Sequence, residues 1–575
     1  MRLVLSRGRI VRSLFAFVTG ALACGVGVTA APTPKLPKAM VAAANPEAVE
    51  AGLAILRRGG SALDAAVAIQ ATLGLVEPQS SGVAGGAFLS WYDPKSRKVT
   101  AYDGREFAPA GATREMFLKP DGTPLSYGEA VLSGRSAGTP GAIAALYLAH
   151  KDHGRLAWSS LFTESETLAE TGFLVGPRLV RWLHYPLPQA TAPDVVAYFK
   201  QPDGSALKAG DRLKNPAYAE TLRLIAAKGP DGLLKGKLAA AIVARLAQGP
   251  MPGTMTLADL AAYAPIREAA LCRPYRVWTV CAPPAPSGGP ATLEGLGLLE
   301  NTDIASRGPA DPVAWSELAQ AERLMYADDF RYIGDPAFVK APIDGLLDRA
   351  YLADRAKLIL DHAGPAPEPG HPAGAPVRGP DATKEPGGTS SFVVVDRWGG
   401  VVAMTTTVES VFGDGRMVGG FFLNNQLTDF SFSPFDKDGT PAANAPGPRK
   451  RPRSSMSPVI ILDKDGRFVA AMGSPGGKAI PAYVLKGVIG ALDWKLPLTE
   501  VLALPNLIAD GDRYVGETKR FPPAVLTALT ARGIVLQGGF GAEDSGLHAV
   551  IARPGGLEGA ADPRREGVAR GCCAP

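Results

Sequence analysis

Thr389 stands about two-thirds of the way along this chain, at a point where a turn meets a strand. Three turn-forming residues, Pro386, Gly387 and Gly388, run into the β-branched and aromatic sequence of residues 389–395. This pattern predicts a loop that ends where a buried strand begins. The Gly388 carbonyl is the least hindered one that the Thr389 hydroxyl could attack, and cleavage there would leave Thr389 with a free α-amine. Such an amine has a pKa of about 7.7–8.0 and acts as a base at neutral pH.

A second predicted strand brings another hydroxyl towards Thr389. The two predicted strands flank a glycine-containing turn and lie at 391–395 and 401–408. If Asp396 pairs with Val401, Thr389 lies opposite Val408. Thr407 is then within one residue of Thr389, and its hydroxyl can support a nucleophile. The alternative is an ordinary junction in which both threonines are only common strand residues.

The pattern of the chain changes near residue 388. Upstream, apolar residues recur at helical spacing over 42–76, with a break at Gly59-Gly60 and Ser61 as the predicted N-cap of the second helix. Residues 136–350 are also mostly helical in pattern. Downstream, further short strands are predicted at 420–424, 458–462, 467–472 and 548–552. The chain therefore divides into a helix-rich part, 31–388, and a strand-rich part, 389–575, and composition alone supports only a mixed α and β fold.

The N-terminus resembles a targeting segment. Four arginines in the first 12 residues precede an apolar stretch, and Val28-Thr29-Ala30 offers a small-residue cleavage site. We therefore predict that residues 1–30 are a signal peptide and that the protein is periplasmic or secreted. Lipid modification of Cys24 and an N-terminal membrane anchor are the alternatives. No other segment is long and apolar enough to predict a membrane span in the mature protein.

Charge and histidine content exclude two classes of function. The net charge is +5, and the four N-terminal arginines account for all but +1 of it, so nothing favours nucleic-acid binding. The six histidines form no His-Glu-x-x-His pattern and no pairing with cysteine. We therefore predict no metal site.

Two cysteines flank a strand-like segment, residues 275–280. Cys272 and Cys281 would be exposed to oxidation if the protein is exported, which favours a disulfide. A strand of that length holds its ends too far apart for a bridge unless the chain turns nearby. Two reduced core residues are therefore the alternative.

Several motifs, in a fixed order, resemble those of one enzyme family. They are Glu77-Pro78-Gln79-Ser80-Ser81-Gly82, Asp103-Gly104-Arg105-Glu106, Gly388-Thr389-Ser390, Leu423-Asn424-Asn425-Gln426 with Asp429-Phe430, Arg451-Pro452-Arg453-Ser454-Ser455-Met456-Ser457-Pro458, Gly473-Ser474-Pro475-Gly476-Gly477 and Ala561-Asp562-Pro563-Arg564-Arg565. From about residue 40 to residue 567 the chain resembles bacterial γ-glutamyltransferases of the N-terminal nucleophile hydrolase superfamily. The resemblance implies an α+β fold, a four-layer α/β/β/α sandwich built jointly by a large subunit (31–388) and a small subunit (389–575). It implies no cofactor.

The resemblance assigns the chemistry to a few positions. Thr389 resembles the nucleophile that cleaves the chain after Gly388 and then carries the γ-glutamyl group, and Thr407 resembles the residue that hydrogen-bonds it. Gly476 and Gly477 resemble the backbone donors of an oxyanion hole, a role that successive N–H groups in a glycine-rich turn suit.

Further positions resemble the family's substrate-binding residues. Arg105 would grip the substrate α-carboxylate, because a planar guanidinium suits a carboxylate. Its alternative is a surface arginine paired with Glu106. Ser454 and Ser455 would donate hydroxyls to the same carboxylate, and Asp429 would pair with the substrate ammonium. Gln426 occupies a place where relatives have Gln or Glu.

Two departures from the family affect the expected site. Many relatives have Asn where Glu409 stands; a carboxylate there would attract the substrate ammonium and repel its α-carboxylate. Residues 431–449 contain no tyrosine, although a tyrosine-bearing lid covers the site in some relatives. The balance between hydrolysis and transfer depends on such a lid.

These observations predict an autoprocessed γ-glutamyltransferase that acts on glutathione and related compounds as a heterodimer of its own two subunits. A cephalosporin (glutaryl) acylase of the same superfamily is the first alternative, and the pair Asp429 and Glu409 argues against it. A non-catalytic secreted binding protein is the second.

Overall fold

Two antiparallel β-sheets lie face to face at the centre of the computed structural model, which describes residues 37–201, 203–381, 383–539 and 545–572. The predicted signal peptide and Cys24 lie outside these residues. The first sheet has seven strands, in the spatial order Val568–Cys572, Ala39–Ala43, Thr389–Val395, Val401–Thr407, Gly86–Asp93, Lys98–Asp103 and Ile266–Ala269. The second has six, in the order Gly556–Ala561, His548–Arg553, Phe468–Gly473, Val459–Leu462, Trp278–Ala282 and Leu271–Tyr275.

Alternate side chains of the central strands enter different cores. Val393 and Val395 pack between the two sheets, whereas Phe392 and Val394 pack against helices on the outer face. On the second sheet, Ile460 likewise packs between the sheets, whereas Ile461 packs against the helices on the outer face. Because both faces of each sheet are covered, these strands are apolar along their length, which explains the unbroken runs in the sequence.

Helices form the two outer layers. Those packed on the first sheet are Pro46–Arg57, Ala62–Val76, Ala142–His153, Thr163–Thr171, Pro177–Leu183, Pro216–Lys228, Asp231–Leu234, Gly236–Leu246 and Leu257–Ala261. Those packed on the second are Gly289–Leu299, Ile304–Arg307, Pro312–Tyr332, Ile343–Leu346, Arg349–Ala356, Ile480–Leu492, Leu498–Ala503 and Pro523–Ala531. Two more short helices are Tyr127–Val131 and Pro193–Tyr198. Together with the sheets they form the α/β/β/α sandwich that the family resemblance implied.

Short strand pairs complete the structure. They are Phe173–Leu174 with Arg212–Leu213, Met417–Val418 with Phe421–Phe422, and Leu507–Asp510 with Arg513–Gly516. The predicted strand 420–424 is thus reduced to two residues. The predicted N-cap of Ser61 is confirmed, because its hydroxyl accepts the Asp64 N–H and the Asp64 carboxylate accepts the Ser61 N–H.

The predicted hairpin forms, but its register was wrong by one residue. Val401 pairs with Val395, and Thr407 lies directly opposite Thr389. Asp396 belongs to the turn: its N–H donates to the Gly400 carbonyl, and its carboxylate accepts the N–H groups of Trp398 and Gly400. The contact between Asp396 and Gly400 lies one step beyond the pair Val395 and Val401 and closes the turn in the observed register.

The two parts of the chain on either side of Thr389 do not form separate domains. Ala39–Ala43, from the upstream part, lies between Val568–Cys572 and Thr389–Val395 of the downstream part. In the second sheet, Val459–Leu462 pairs with upstream Trp278–Ala282. Each sheet is therefore shared, and neither part can complete its core alone.

A hairpin joins the two cysteines in the upstream part. The sequence predicted one strand over residues 275–280, and this prediction was wrong. The chain turns at Arg276 and Val277, between the strands Leu271–Tyr275 and Trp278–Ala282. The turn places Cys272 opposite Cys281, with their Cα atoms 4.0 Å apart and their sulfurs bonded at 2.04 Å. In the described ranges, no helix combines the length and apolarity that crossing a membrane requires.

Candidate active site

Two threonine hydroxyls meet at one end of the first sheet. The Thr389 hydroxyl donates to that of Thr407 over 3.2 Å, and Thr407 donates to the Gly388 carbonyl oxygen over 3.0 Å. The Glu409 N–H donates to the Thr407 hydroxyl over 2.8 Å. Thr389 and Thr407 are both buried. The hydroxyl of Thr407 thus links the predicted nucleophile to the bond that it would break.

Two glycine amides stand beside this pair. Gly476 has φ +134° and Gly477 φ +55°, a turn that favours glycine. A Cβ on Gly477 would lie 2.5 Å from the Glu385 carbonyl oxygen, so this close approach also requires glycine. Neither amide donates a hydrogen bond to any residue that the structure describes. The helix Ile480–Leu492 begins just after them, and its dipole favours negative charge at this end.

Arg105 is buried, contrary to the surface alternative. Its guanidinium donates to the Asp429 carboxylate over 2.6 Å and to the backbone carbonyls of Pro452 and Arg453. Its predicted surface partner, Glu106, instead packs against Gly86, and burial raises the pKa of Glu106 to about 8. Arg105 and Asp429 therefore form a desolvated ion pair.

Glu409 holds its proton more tightly than an ordinary glutamate. Burial and then the charge of Asp429 raise the pKa of Glu409 well above its usual range. The Tyr127 hydroxyl donates to its carboxyl group over 3.1 Å, and so does the Asn425 amide. The raised pKa weakens both the expected repulsion between Glu409 and a substrate carboxylate and the expected attraction of Glu409 for an ammonium. Glu409 also has φ +78°, an unusual conformation for a residue other than glycine.

The two serines have different environments. Ser455 donates its N–H and its hydroxyl to the Glu385 carboxylate, over 2.8 and 2.7 Å. The Ser454 hydroxyl accepts the Met456 N–H over 3.1 Å. Arg453 lies within 3.6 Å of the Glu385 carboxylate and is itself held by Asp329 and Asp381. The carboxylate of Glu385, a residue of the chain itself, therefore already occupies the part of the site beside Ser455.

The remaining predicted residue, Gln426, donates to the Asp429 carboxylate over 2.6 Å. Tyr127, Glu385 and Asn425 also take part in the site, although sequence reasoning gave them no role. Asn425 belongs to the motif Leu423-Asn424-Asn425-Gln426, on which the family resemblance partly rests, so the sequence did contain an indication that this residue takes part in the site. No sequence pattern indicates a role for Tyr127, because its contact, Glu409, lies 282 residues further along the chain.

Most of these residues line one very small cavity of about 10 Å³, which is room for about one water molecule. Its walls are Arg105, Glu385, Pro386, Thr389, Thr407, Glu409, Gln426, Asp429, Ser454, Met456, Gly477 and Ile480. Gly476 lines an adjoining cavity. The residues just before Thr389 fill the site of this uncleaved chain.

Residues 431–449 pack against the site. The Asn444 amide donates to the Asp429 backbone carbonyl over 2.6 Å and its oxygen accepts the Arg453 N–H over 2.8 Å. Phe432 stacks on Phe117 with ring centres 4.7 Å apart. This segment therefore fixes the backbone of Asp429 and Arg453. No group of three or more metal-ligating side chains occurs in the part of the chain that the structure covers.

Comparison with known proteins places the chain in a family. Residues 48–572 match the family model described as Gamma-glutamyltranspeptidase. The glutathione hydrolase proenzyme of Bacillus subtilis (strain 168) is 36% identical over 549 residues, covering 92% of this chain and 91% of that protein. The Acylase ACY 1 proenzyme of Pseudomonas sp. (strain SE83) is 32% identical over 541 residues, covering 92% and 93%.

A solved structure supports the fold. The cephalosporin acylase from Bacillus halodurans superposes with a TM-score of 0.81, covering 95% of this chain and 99% of that one, at 24% identity. At this identity the similarity shows the fold alone, which is of the N-terminal nucleophile hydrolase type. Together with the match over residues 48–572, these findings show that the chain belongs to the gamma-glutamyltranspeptidase family.

Proposed function

We propose that this protein is a γ-glutamyltransferase with glutathione hydrolase activity. It cleaves itself between Gly388 and Thr389 into a large subunit, 31–388, and a small subunit, 389–575, which stay together as a heterodimer. Export to the periplasm or the medium, after removal of residues 1–30, belongs to the same proposal. One observation carries it: the buried pair of Arg105 and Asp429 shares a cavity with Thr389.

Self-cleavage uses the hydroxyl pair. The Thr389 oxygen attacks the Gly388 carbonyl carbon, and the Gly388–Thr389 amide becomes an ester as the Thr389 nitrogen leaves with the hydroxyl proton. The hydrogen bond from Thr407 to the Gly388 oxygen stabilises the negative charge that develops there. Water then hydrolyses the ester, which gives Gly388 a carboxylate and restores the Thr389 hydroxyl beside its new α-amine.

Turnover repeats this chemistry on a substrate. The α-amine of Thr389 takes the hydroxyl proton while the oxygen attacks the γ-carbonyl carbon. The amides of Gly476 and Gly477 receive the oxyanion. The substrate's amine leaves with the proton and a γ-glutamyl ester forms, which water hydrolyses or an acceptor amine attacks.

The charges of the site match an α-amino acid. A substrate zwitterion offers a carboxylate to Arg105 and an ammonium to Asp429, and so replaces one ion pair by two. Ser455 supports the assignment of carboxylate binding, because its N–H and hydroxyl hold the Glu385 carboxylate in the uncleaved chain. The free cavity of about 10 Å³ cannot take a glutamyl group, so residues 385–388 must leave it first.

The second candidate is a cephalosporin (glutaryl) acylase. One relative carries an acylase name, and the same nucleophile would serve. A glutaryl group lacks the ammonium, however, and would leave the charge of Asp429 unpaired.

A denaturing gel followed by a γ-glutamyl anilide assay tests the proposal. Wild-type protein should run as two chains and release the aniline, whereas Thr389→Ala should stay as one chain and release none. A wild-type protein that remains full length and still hydrolyses the anilide would overturn the mechanism.

A further inference from the structure

A second cavity lies on the other side of the segment that is to be cleaved. Its volume is about 410 Å³, within the range of small-molecule sites. Glu385 and Pro386 line both this cavity and the small one at Thr389, so they form the wall between the two. We call the second cavity the Lys478 groove, after the residue that follows Gly477 and lies on its floor.

Basic side chains line the Lys478 groove. Lys478 binds Asp510 over 2.7 Å, and both side chains are about a quarter exposed, at 29% and 27%. Arg513, three residues after Asp510, also lines the groove, and it makes no ion pair with any residue in the described ranges. Lys384 and Glu385 line the groove as well, so three cations face two carboxylates, and the excess positive charge leaves the groove able to accept an anion.

The backbone around Lys478 links the groove to the reaction. The Lys478 N–H donates to the Glu385 carbonyl over 3.2 Å, and its own carbonyl accepts the Tyr326 hydroxyl over 2.7 Å. Lys478 therefore has a fixed position next to the oxyanion donor Gly477. When residues 385–388 leave, its N–H loses its partner and its side chain faces the enlarged cavity.

We propose that the Lys478 groove binds the leaving group of the substrate and that Lys478 and Arg513 select an amine that bears a carboxylate, such as an amino acid or a short peptide. This inference rests on the proposed function. Once the wall has gone, the small cavity holds the γ-glutamyl part against Arg105 and Asp429, and the amine side of the scissile bond extends into the groove.

The groove also suits the uncharged part of such a leaving group. Ile508 and Val515, on the hairpin of Leu507–Asp510 and Arg513–Gly516, provide apolar wall beside the two cations. An amino acid side chain or an aromatic ring can pack there while its carboxylate reaches Lys478 or Arg513. The released amine carries the proton from the Thr389 α-amine, and its carboxylate is unchanged by the reaction.

Two substrates with the same acyl group test the proposal: γ-glutamyl-4-nitroanilide and γ-glutamyl-3-carboxy-4-nitroanilide. They differ by one carboxylate on the leaving group, so the ratio of their kcat/KM values cancels changes at the nucleophile. Wild-type protein should prefer the carboxylated anilide. Arg513→Gln and Lys478→Met should each reduce that ratio by about three- to fivefold, as expected for partly exposed charge pairs.

Lys464→Met is the matched control, because it removes the same charge from an exposed turn outside both cavities; its ratio should equal that of the wild type. Since Arg513 is on a different chain segment from Gly477, Arg513→Gln separates the groove from any disturbance of the oxyanion donors. An unchanged ratio in Arg513→Gln, or an equal loss in Lys464→Met, would refute the groove assignment alone. If the wild type turns over neither anilide, the proposed function fails and the groove assignment with it.

Discussion

Replacing Thr407 by valine tests the role of the hydroxyl pair in self-cleavage. The substitution keeps the shape of the side chain and removes the four hydrogen bonds of the hydroxyl, which involve the Thr389 hydroxyl, the Gly388 carbonyl, and the carbonyl and N–H of Glu409. The hydrogen bond from Thr407 to the Gly388 oxygen has the largest effect on the rate of self-cleavage, because it strengthens as that oxygen becomes an anion. Loss of one such donor costs about 2.7–4 kcal/mol, or about 10²- to 10³-fold in rate.

The substitution also has a cost in stability. The Glu409 N–H is left buried without an acceptor, which lowers the free energy of unfolding by about 1–3 kcal/mol. A protein of this size and core should still fold. The assay follows the full-length band on denaturing gels over time, and the half-life of that band should increase by about 10²-fold or more.

Two control variants separate chemistry from stability. Thr407→Ser keeps the hydroxyl and should process at a rate close to that of the wild type. Thr406→Val removes the neighbouring buried hydroxyl, which donates to the Gly86 carbonyl and does not contact Gly388. Wild-type processing in Thr407→Val, or equal slowing in Thr406→Val, would refute the reasoning.

Three further predictions concern the substrate site and the disulfide. Arg105→Ala should still self-process but lose about 2–5 kcal/mol in kcat/KM for a γ-glutamyl anilide, because the desolvated substrate carboxylate loses its charged partner; unchanged kinetics would exclude Arg105 from the site. The wild type should favour γ-glutamyl over glutaryl anilide by at least about 100-fold in kcat/KM, and Asp429→Asn should shrink this gap; similar rates would favour the acylase. Peptide mapping should find Cys272 bridged to Cys281, and two free thiols would contradict that.

The raised pKa of Glu409 changes how the site distinguishes a substrate that carries an ammonium from one that does not. The sequence suggested two carboxylates that would both attract the substrate ammonium. In the structure, burial and the charge of Asp429 raise the pKa of Glu409 well above its usual range. Selection of the ammonium therefore rests mainly on Asp429, which is why Asp429→Asn is the informative substitution.

Local sequence determined the start of the central strand and several element boundaries. The segment before the strand, Pro386, Gly387 and Gly388, favours a turn, and the β-branched residues that follow favour a strand. The junction at Thr389 therefore follows from short-range conformational preference. The cap at Ser61 follows in the same way, from a side chain and backbone three residues apart. Such features need no knowledge of the rest of the chain.

The tertiary structure decided the register, the turn between the cysteines and the charges of the site. Thr407 faces Thr389 because Asp396 closes the turn, which a count of alternating residues could not reveal. Arg105 and Asp429 meet across 324 residues, and the pKa of Glu409 is raised only because folding removes it from water beside another carboxylate. Ion pairing and protonation depend on burial and on distant neighbours, and these exist only once the sandwich has formed.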